Sequence, residues 1–342
     1  MFKLRCRKTI SCTFLHCNFL HNLITIQARI SLKKHNLNKA IKWLPDKMQR
    51  FQKGMVFIMK KYDFAIVGGD KRTACMAQVL AQKGYNVICF GTVKYAANDK
   101  IHYSDTLRDA IIKAPVIVCG IPFEKDGGLY FEKELPKISL TELQRLLRKH
   151  HKIFGGVISE DFKRICEKRN IGCFDFMQEE PLTIFNAAAT AEGAILEALL
   201  HKDTQLHHSK VLVLGYGRCG KVLADKLKGL SAQITVCSAQ AEELALADSL
   251  GFSILKLSEL SRQINSFEYV FNTIPAKVLT KECLKEMKND ALIIDIASNR
   301  TGVDYEAANL LKRHVEYCPG LPGKYAPLSC AEKLTEFVLS KI

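Results

Sequence analysis

The chain has 342 residues, enough for two domains of ordinary size, and its 48% apolar and 25% charged residues exclude wholesale disorder. No run of about 18 or more apolar residues occurs, so no membrane-spanning helix is expected. The formal net charge of +15, taken alone, suggests a phosphate-rich partner.

That charge is unevenly placed. Residues 1–54 carry twelve Lys or Arg against the single acid Asp46, a net +11, while residues 55–342 carry 38 basic and 34 acidic residues, a net +4. Residues 1–58 read as a basic leader outside the fold: they lack the apolar run and cleavage site of a signal peptide and the serines of a transit peptide, and Met55 and Met59 stand just before the first clear strand. With the excess confined there, no nucleic-acid or membrane partner is expected. The thirteen cysteines include no C-x-x-C pair, and His207 and His208 have no cysteine at ligand spacing, so reduced cytoplasmic thiols are expected and no metal.

Residues 59–185 read as a first α/β domain. Tyr62–Val67 is an apolar strand entering the turn Gly68-Gly69-Asp70, and Thr73–Lys83 a helix closed by Gly84. Strands follow at Asn86–Phe90, Pro115–Cys119 and Ile153–Ile158. Ser139 and Glu142 form a capping box, and Ser159 starts a further helix. The alternation implies a parallel sheet with ligands at the carboxyl ends of its strands. Gly68 to Arg72 is either an ordinary strand-to-helix turn or an anion site, with Lys71 and Arg72 beside a helix N-terminus.

Residues 186–342 read as a dinucleotide-binding Rossmann domain with its connecting helix. The helix opens over Asn186–Gly193 and runs to Leu200; Asn186, Thr190 and Glu192 face the cleft if it starts there, and otherwise serve as caps and a solvated face. Lys210–Leu214 is a strand leading into Gly215-Tyr216-Gly217-Arg218-Cys219-Gly220 and then a helix closed by Gly229. In this G-x-G-x-x-G arrangement Gly215 permits the tight turn, Gly217 lets the backbone approach a pyrophosphate, and Gly220 lets helix and strand pack. The next strand, Gln233–Cys237, ends at Ser238-Ala239-Gln240, with no carboxylate for a ribose 2′-hydroxyl. NADP is therefore expected over NAD, with Arg218 standing in for the missing basic residue. Strands at Tyr269–Asn272, Ala291–Ile296 and Val315–Cys318 end in Asn272-Thr273-Ile274-Pro275, in Asp295-Ile296-Ala297-Ser298 and in Pro319–Lys324. Asn272, Thr273 and Pro275 are candidate nicotinamide contacts. Asp295 is either a structural acid or a catalytic one, and Lys324 a cation for substrate.

The ordered set Phe185-Asn186, Thr190–Ile195, Val213–Gly220, Asp295–Ser298 and Pro319–Pro327, with the early Gly68-Gly69-Asp70 turn, resembles the family of dipicolinate synthase A subunits over residues 60–342. Ala239-Gln240 departs from the more basic residues expected there. The resemblance implies two Rossmann-like domains with a cleft between them. It also implies NADP-dependent oxidation of a dihydrodipicolinate to pyridine-2,6-dicarboxylate (dipicolinate) in sporulating bacteria, the flavoprotein-like B subunit of dipicolinate synthase as partner, and room for a homodimer. A dianionic substrate needs cations or N–H donors, for which Arg72, Asn186, Lys324 and the helix opening at Thr190 are candidates. Glu192 and Asp295 are the candidate bases. A 2-hydroxy-acid or shikimate-type dehydrogenase would share the plan but should present a histidine base near the rim, and beyond residue 208 the chain has only His314. A non-enzymatic NADP-sensing module would bind the dinucleotide without turnover.

Overall fold

The computed structural model describes residues 62–342, so the leader expected at 1–58 lies outside the described residues. The first half contains β1 (Phe64–Val67), β2 (Val87–Phe90), β3 (Ile101–Tyr103), β4 (Val116–Cys119), a short hairpin of β5 (Glu124–Lys125) and β6 (Gly128–Leu129), β7 (Lys152–Gly155) and β8 (Gly172–Asp175). Its helices are α1 (Lys71–Gln82), α2 (Leu107–Ile112), α3 (Leu140–Leu146) and α4 (Glu160–Lys168). The long helix α5 (Glu180–His201) leads into the second half. There the strands are β9 (Lys210–Leu214), β10 (Gln233–Ser238), β11 (Ser253–Lys256), β12 (Tyr269–Asn272), β13 (Leu292–Asp295) and β14 (His314–Tyr317). The helices are α6 (Arg218–Gly229), α7 (Ala241–Ser249), α8 (Leu260–Gln263), α9 (Lys281–Glu286), α10 (Tyr305–Leu310), α11 (Leu321–Tyr325) and α12 (Pro327–Ser340).

The two six-stranded sheets have the same topology. Their orders are β3-β2-β1-β4-β7-β8 and β11-β10-β9-β12-β13-β14, with every pairing parallel. Each is a doubly wound sheet whose order reverses once, beside β1 in the first and beside β9 in the second, and ligands bind such sheets outside the carboxyl ends at that reversal. The central strands Phe64-Ala65-Ile66-Val67 and Val211-Leu212-Val213-Leu214 are apolar throughout because helices cover both faces.

Two helices differ from the sequence expectation. Helix α5 starts at Glu180, six residues before the expected boundary, with Pro181 in its first turn, where a missing N–H costs nothing. Among the described residues it is also the one helix long and apolar enough to cross a bilayer by length and composition. Its alanines 191, 194 and 198 are instead core of the second half. Helix α12, the last in the chain, returns to the first half: Ala331, Leu334 and Val338 pack with Met76, Leu80 and Phe154. The division at residue 185/186 thus falls inside one helix, and the first sheet takes a covering layer from the far end of the chain.

His151, just ahead of β7, is 2% exposed, and its Nδ1 accepts a 2.9 Å bond from the Arg148 amide. Burial, helped by the neighbouring His150 and Arg148 charges, lowers its pKa to about 4. Between the ordinary value of 6.5 and 4 the unfolded chain therefore binds the extra proton, and this contribution to stability is lost as pH falls through that window. Asparagine at 151 can keep the acceptor without titrating. Urea denaturation at several pH values should show a shallower loss of stability between pH 6.5 and 4 for His151→Asn than for the parent; equal slopes would contradict the assignment.

Candidate active site

The order reversals of the two sheets are not equivalent. In the first half the turn after β1 is closed by its own chain. The Gly69 amide donates to the Tyr130 carbonyl and the Glu132 amide to the Gly69 carbonyl. A side chain at Gly68 would lie 2.5 Å from the Tyr130 carbonyl, and one at Gly69 2.9 Å from Gly120 Cα. The N-terminus of α1 is already satisfied, because the Asp70 carboxylate accepts from the Arg72 amide at 2.9 Å. The same carboxylate holds the Arg72 guanidinium at 2.7–3.0 Å, and Arg72 also donates to the Ile121 carbonyl at 2.7 Å. Asp70 thus occupies the place an external anion would take. Arg72, only 4% exposed, is the counter-ion of that carboxylate rather than a free cation for substrate.

The second half is open at the corresponding point. Gly215 has φ +89° and packs on Thr273, whose hydroxyl donates to the Leu214 carbonyl at 2.8 Å. A side chain on Gly220 would run into the Gly215 carbonyl, so this glycine sets the helix-to-strand approach. Gly217, by contrast, has nothing within 4 Å of where a Cβ would be, and its φ of −73° is open to any residue. Space, not strain, favours glycine here. No side chain caps α6, which leaves its first-turn N–H groups available to an anion. Tyr216 points inward against Phe252 and is 1% exposed, and Cys219 is half-buried with its thiol pushed up by burial. These features fit the pyrophosphate of a dinucleotide.

Two contacts bring the carboxyl ends of the two sheets together. Glu180, after β8, accepts from Arg218 at the start of α6 at 2.7 and 3.0 Å, which holds the Glu180 carboxyl below its usual range. Gly323, after β14, lies on the Asp70–Arg72 pair so closely that a Cβ there would overlap the Asp70 carboxylate. The rim between them is built on a buried network. Asn272 and Asp295 are both fully buried, and the Asn272 amide donates to Asp295 at 2.9 Å. Asp295 also accepts from the Ala297 amide and from the Tyr305 hydroxyl, while Asn272 bonds the Ile274 amide and carbonyl. Burial and the adjacent carboxylate push the Tyr305 phenol well above its ordinary range. Asp295 therefore anchors the ends of β12 and β13, with both carboxylate oxygens hydrogen-bonded inside the chain. Pro275 is exposed at the rim.

The remaining candidate residues have partners within the chain. Glu192 is bound to Lys226 at 2.9 Å, eight residues along α6 from Arg218, or roughly 12 Å at the helical rise; it stands on the helix body, away from the glycine turn. Thr190 and Asn186 lie inside α5 rather than at its opening, and the Thr190 hydroxyl donates back to the Asn186 carbonyl at 2.8 Å, so this point offers no free N–H groups. Asn186 lines a narrow crevice with Ile121, Phe185 and Cys330. Lys324 is half-exposed beside the first-half turn, but it pairs with buried Glu197 at 2.6 Å. Burial would raise the Glu197 pKa, but bonds from Lys324 and Tyr325 outweigh it and leave the carboxyl low. Arg218, expected to serve a 2′-phosphate, is taken by Glu180. At the end of β10 the buried Ser238 hydroxyl donates to Glu243 at 2.6 Å, and the Tyr216 amide donates to the same oxygen at 3.2 Å. Residues 238–240 carry no carboxylate of their own; the sequence signal for this one is an acid in the first turn of the helix after β10. Among the described residues no cluster suited to a metal occurs.

Residues 63–177 match the family of N-terminal domains of the dipicolinate synthase A subunit. The resemblance is to dipicolinate synthase. Residues 186–313 match the NAD-binding domain of D-isomer specific 2-hydroxyacid dehydrogenases, which makes the open half a nicotinamide-dinucleotide-binding domain of dehydrogenase type. The dipicolinate synthase A subunit of Bacillus subtilis (strain 168) is 31% identical over 193 residues, 56% of this chain and 65% of that relative, so the match spans slightly under two thirds of its length. Two crystal structures share the fold. One is the dipicolinate synthase A subunit from Bacillus halodurans (TM-score 0.71, 24% identity, covering 82% of this chain and 97% of the other). The second is its counterpart from Bacillus subtilis (TM-score 0.68, 24% identity, 82% and 95% coverage).

Gly217→Val fills the open space without straining the backbone. It should melt within about 4 °C of the parent, the cost of a poorer helix cap, yet lose dinucleotide binding by titration calorimetry. Unchanged affinity would refute the turn as the pyrophosphate site.

Proposed function

We propose that this chain oxidises a dihydrodipicolinate to pyridine-2,6-dicarboxylate with a nicotinamide dinucleotide, in the cytoplasm during spore formation and together with the flavoprotein-like B subunit of dipicolinate synthase. The observation that carries the reading is the asymmetry of the two halves: an open glycine turn faces a partner half whose own turn is closed, and that closed half matches the N-terminal domain of the dipicolinate synthase A subunit. The bound dinucleotide supplies a hydride acceptor. The chain's part is orientation. Gly217 and the N-terminus of α6 would hold the pyrophosphate, the Asn272–Asp295–Tyr305 network stiffens the ends of β12 and β13 at the rim, and the Gly320–Lys324 segment on the Asp70–Arg72 pair would form the opposite wall.

The dinucleotide would supply the acceptor for a hydride from one ring carbon, the ring would lose one proton to solvent, and aromatisation would drive the oxidation. No dedicated base is assigned, because Asp295 is buried with both oxygens hydrogen-bonded and Glu192 is bound to Lys226. A 2-hydroxy-acid dehydrogenase would need a histidine at the rim. His314 instead opens β14 at the opposite end of the sheet and is bound to Glu316 at 3.1 Å.

Incubation with NAD⁺ or NADP⁺ and freshly generated dihydrodipicolinate should produce reduced nicotinamide and pyridine-2,6-dicarboxylate in equal amounts. Absence of product with and without the B subunit would overturn the reading and favour a dinucleotide sensor. Glu192→Gln should keep kcat within about twofold, whereas loss of a general base costs about a hundredfold or more; a loss of that size would restore Glu192 as the base.

A further inference from the structure

We infer that Glu243 reads the adenosine ribose and makes this chain prefer NAD to NADP. The inference rests on the dinucleotide lying at the Gly215–Gly220 turn, and it replaces the preference drawn from the absence of an acid at 238–240. In a Rossmann half the adenosine ribose lies between the glycine turn and the end of the second strand, where NAD-selective proteins place a carboxylate on that strand. Here the strand ends in a serine, and the carboxylate comes from the next helix. Glu243 lies in the first turn of α7, and one of its oxygens receives both the Ser238 hydroxyl, from the end of β10, and the Tyr216 amide, from the glycine turn. These two donors hold the carboxylate at the junction of the two segments that flank the ribose. Its other oxygen, Oε1, makes no hydrogen bond among the described residues and is free to accept from ribose hydroxyls.

The surrounding charge points the same way. Glu242 precedes Glu243 in the same turn, and no Lys or Arg occurs from residue 229 to 255. Arg218 is taken by Glu180 at 2.7 Å, and Lys221 lies over the Tyr216 ring, 6.0 Å from its centroid. A 2′-phosphate would meet a fixed carboxylate in place of an arginine fork. One cation argues the other way: Lys256 is the register partner of Ser238 on β11 and is the group a 2′-phosphate would recruit.

The test compares Kd for NADH and NADPH by nucleotide fluorescence in the full-length parent, Glu243→Gln and Lys256→Gln. Glutamine keeps an acceptor for Ser238 and Tyr216 while it removes the charge and replaces the ribose-facing acceptor oxygen with an N–H donor; matching melting curves check the fold. The parent should bind NADH at least about tenfold more tightly, the scale of a charge-assisted hydrogen bond, and Glu243→Gln should shrink that ratio about tenfold or more by weakening NADH and strengthening NADPH. A ratio unmoved by Glu243→Gln, or NADPH binding that is tighter and lost in Lys256→Gln, would overturn the assignment. Binding of neither dinucleotide by the parent would overturn the cofactor site itself, and this assignment with it.

Discussion

The ion pair between Asp70 and Arg72 decides how two sheets of identical topology divide their labour. Both end their first strand in a glycine turn leading into a helix, and both would offer a helix N-terminus to an anion. In the first half the chain supplies that anion itself, and Arg72 neutralises it in a site closed to water. A buried pair of this kind adds little net stability over apolar packing, but breaking one partner is costly because the other is left charged and unpaired. The pair therefore fills that turn from within the chain, which leaves the open turn of the other half as the proposed dinucleotide site. It also forms the floor on which Gly323 rests, so the last loop of the second half approaches the first half at this point.

Rigid supports surround the open turn. The Asn272–Asp295–Tyr305 network ties together the ends of two neighbouring strands with every buried donor and acceptor among the three matched. Glu197, Lys324 and Tyr325 do the same between α5 and α11. Because α12 packs on the first sheet, the chain crosses between the halves along two routes, α5 and the loop from β14. A hinge between the halves would have to bend both.

Much of the architecture was legible from local pattern. The apolar strands 64–67, 116–119, 210–214 and 269–272 stand out because both faces of a parallel sheet are covered, and G-x-G-x-x-G marks the open turn after β9 because Gly215 and Gly220 meet steric demands of turn and packing while Gly217 leaves space above it. Three things were not legible. The start of α5 lies at Glu180 rather than Asn186, with Pro181 in its first turn, where a missing N–H costs nothing. The sequence leaves the roles of Arg72, Glu192 and Asp295 open because residue type shows that a group can carry charge, while only tertiary structure shows which partners it meets: Asp70, Lys226, or Asn272 and Tyr305. Glu243 was overlooked because its place beside Ser238 and Tyr216 is set by packing of α7 against two other segments. The leader accounts for most of the +15 net charge, so that number describes one end of the chain.

The proposed division of labour puts the dinucleotide on the open turn and the substrate between it and the closed one. A crystal structure with NAD⁺ and pyridine-2,6-dicarboxylate bound tests this division most directly. The pyrophosphate is expected over Gly217 and the product between the Asn272–Pro275 rim and the Gly320–Lys324 turn. A dinucleotide seated at Gly68–Asp70, or product bound outside the space between the two turns, would contradict it.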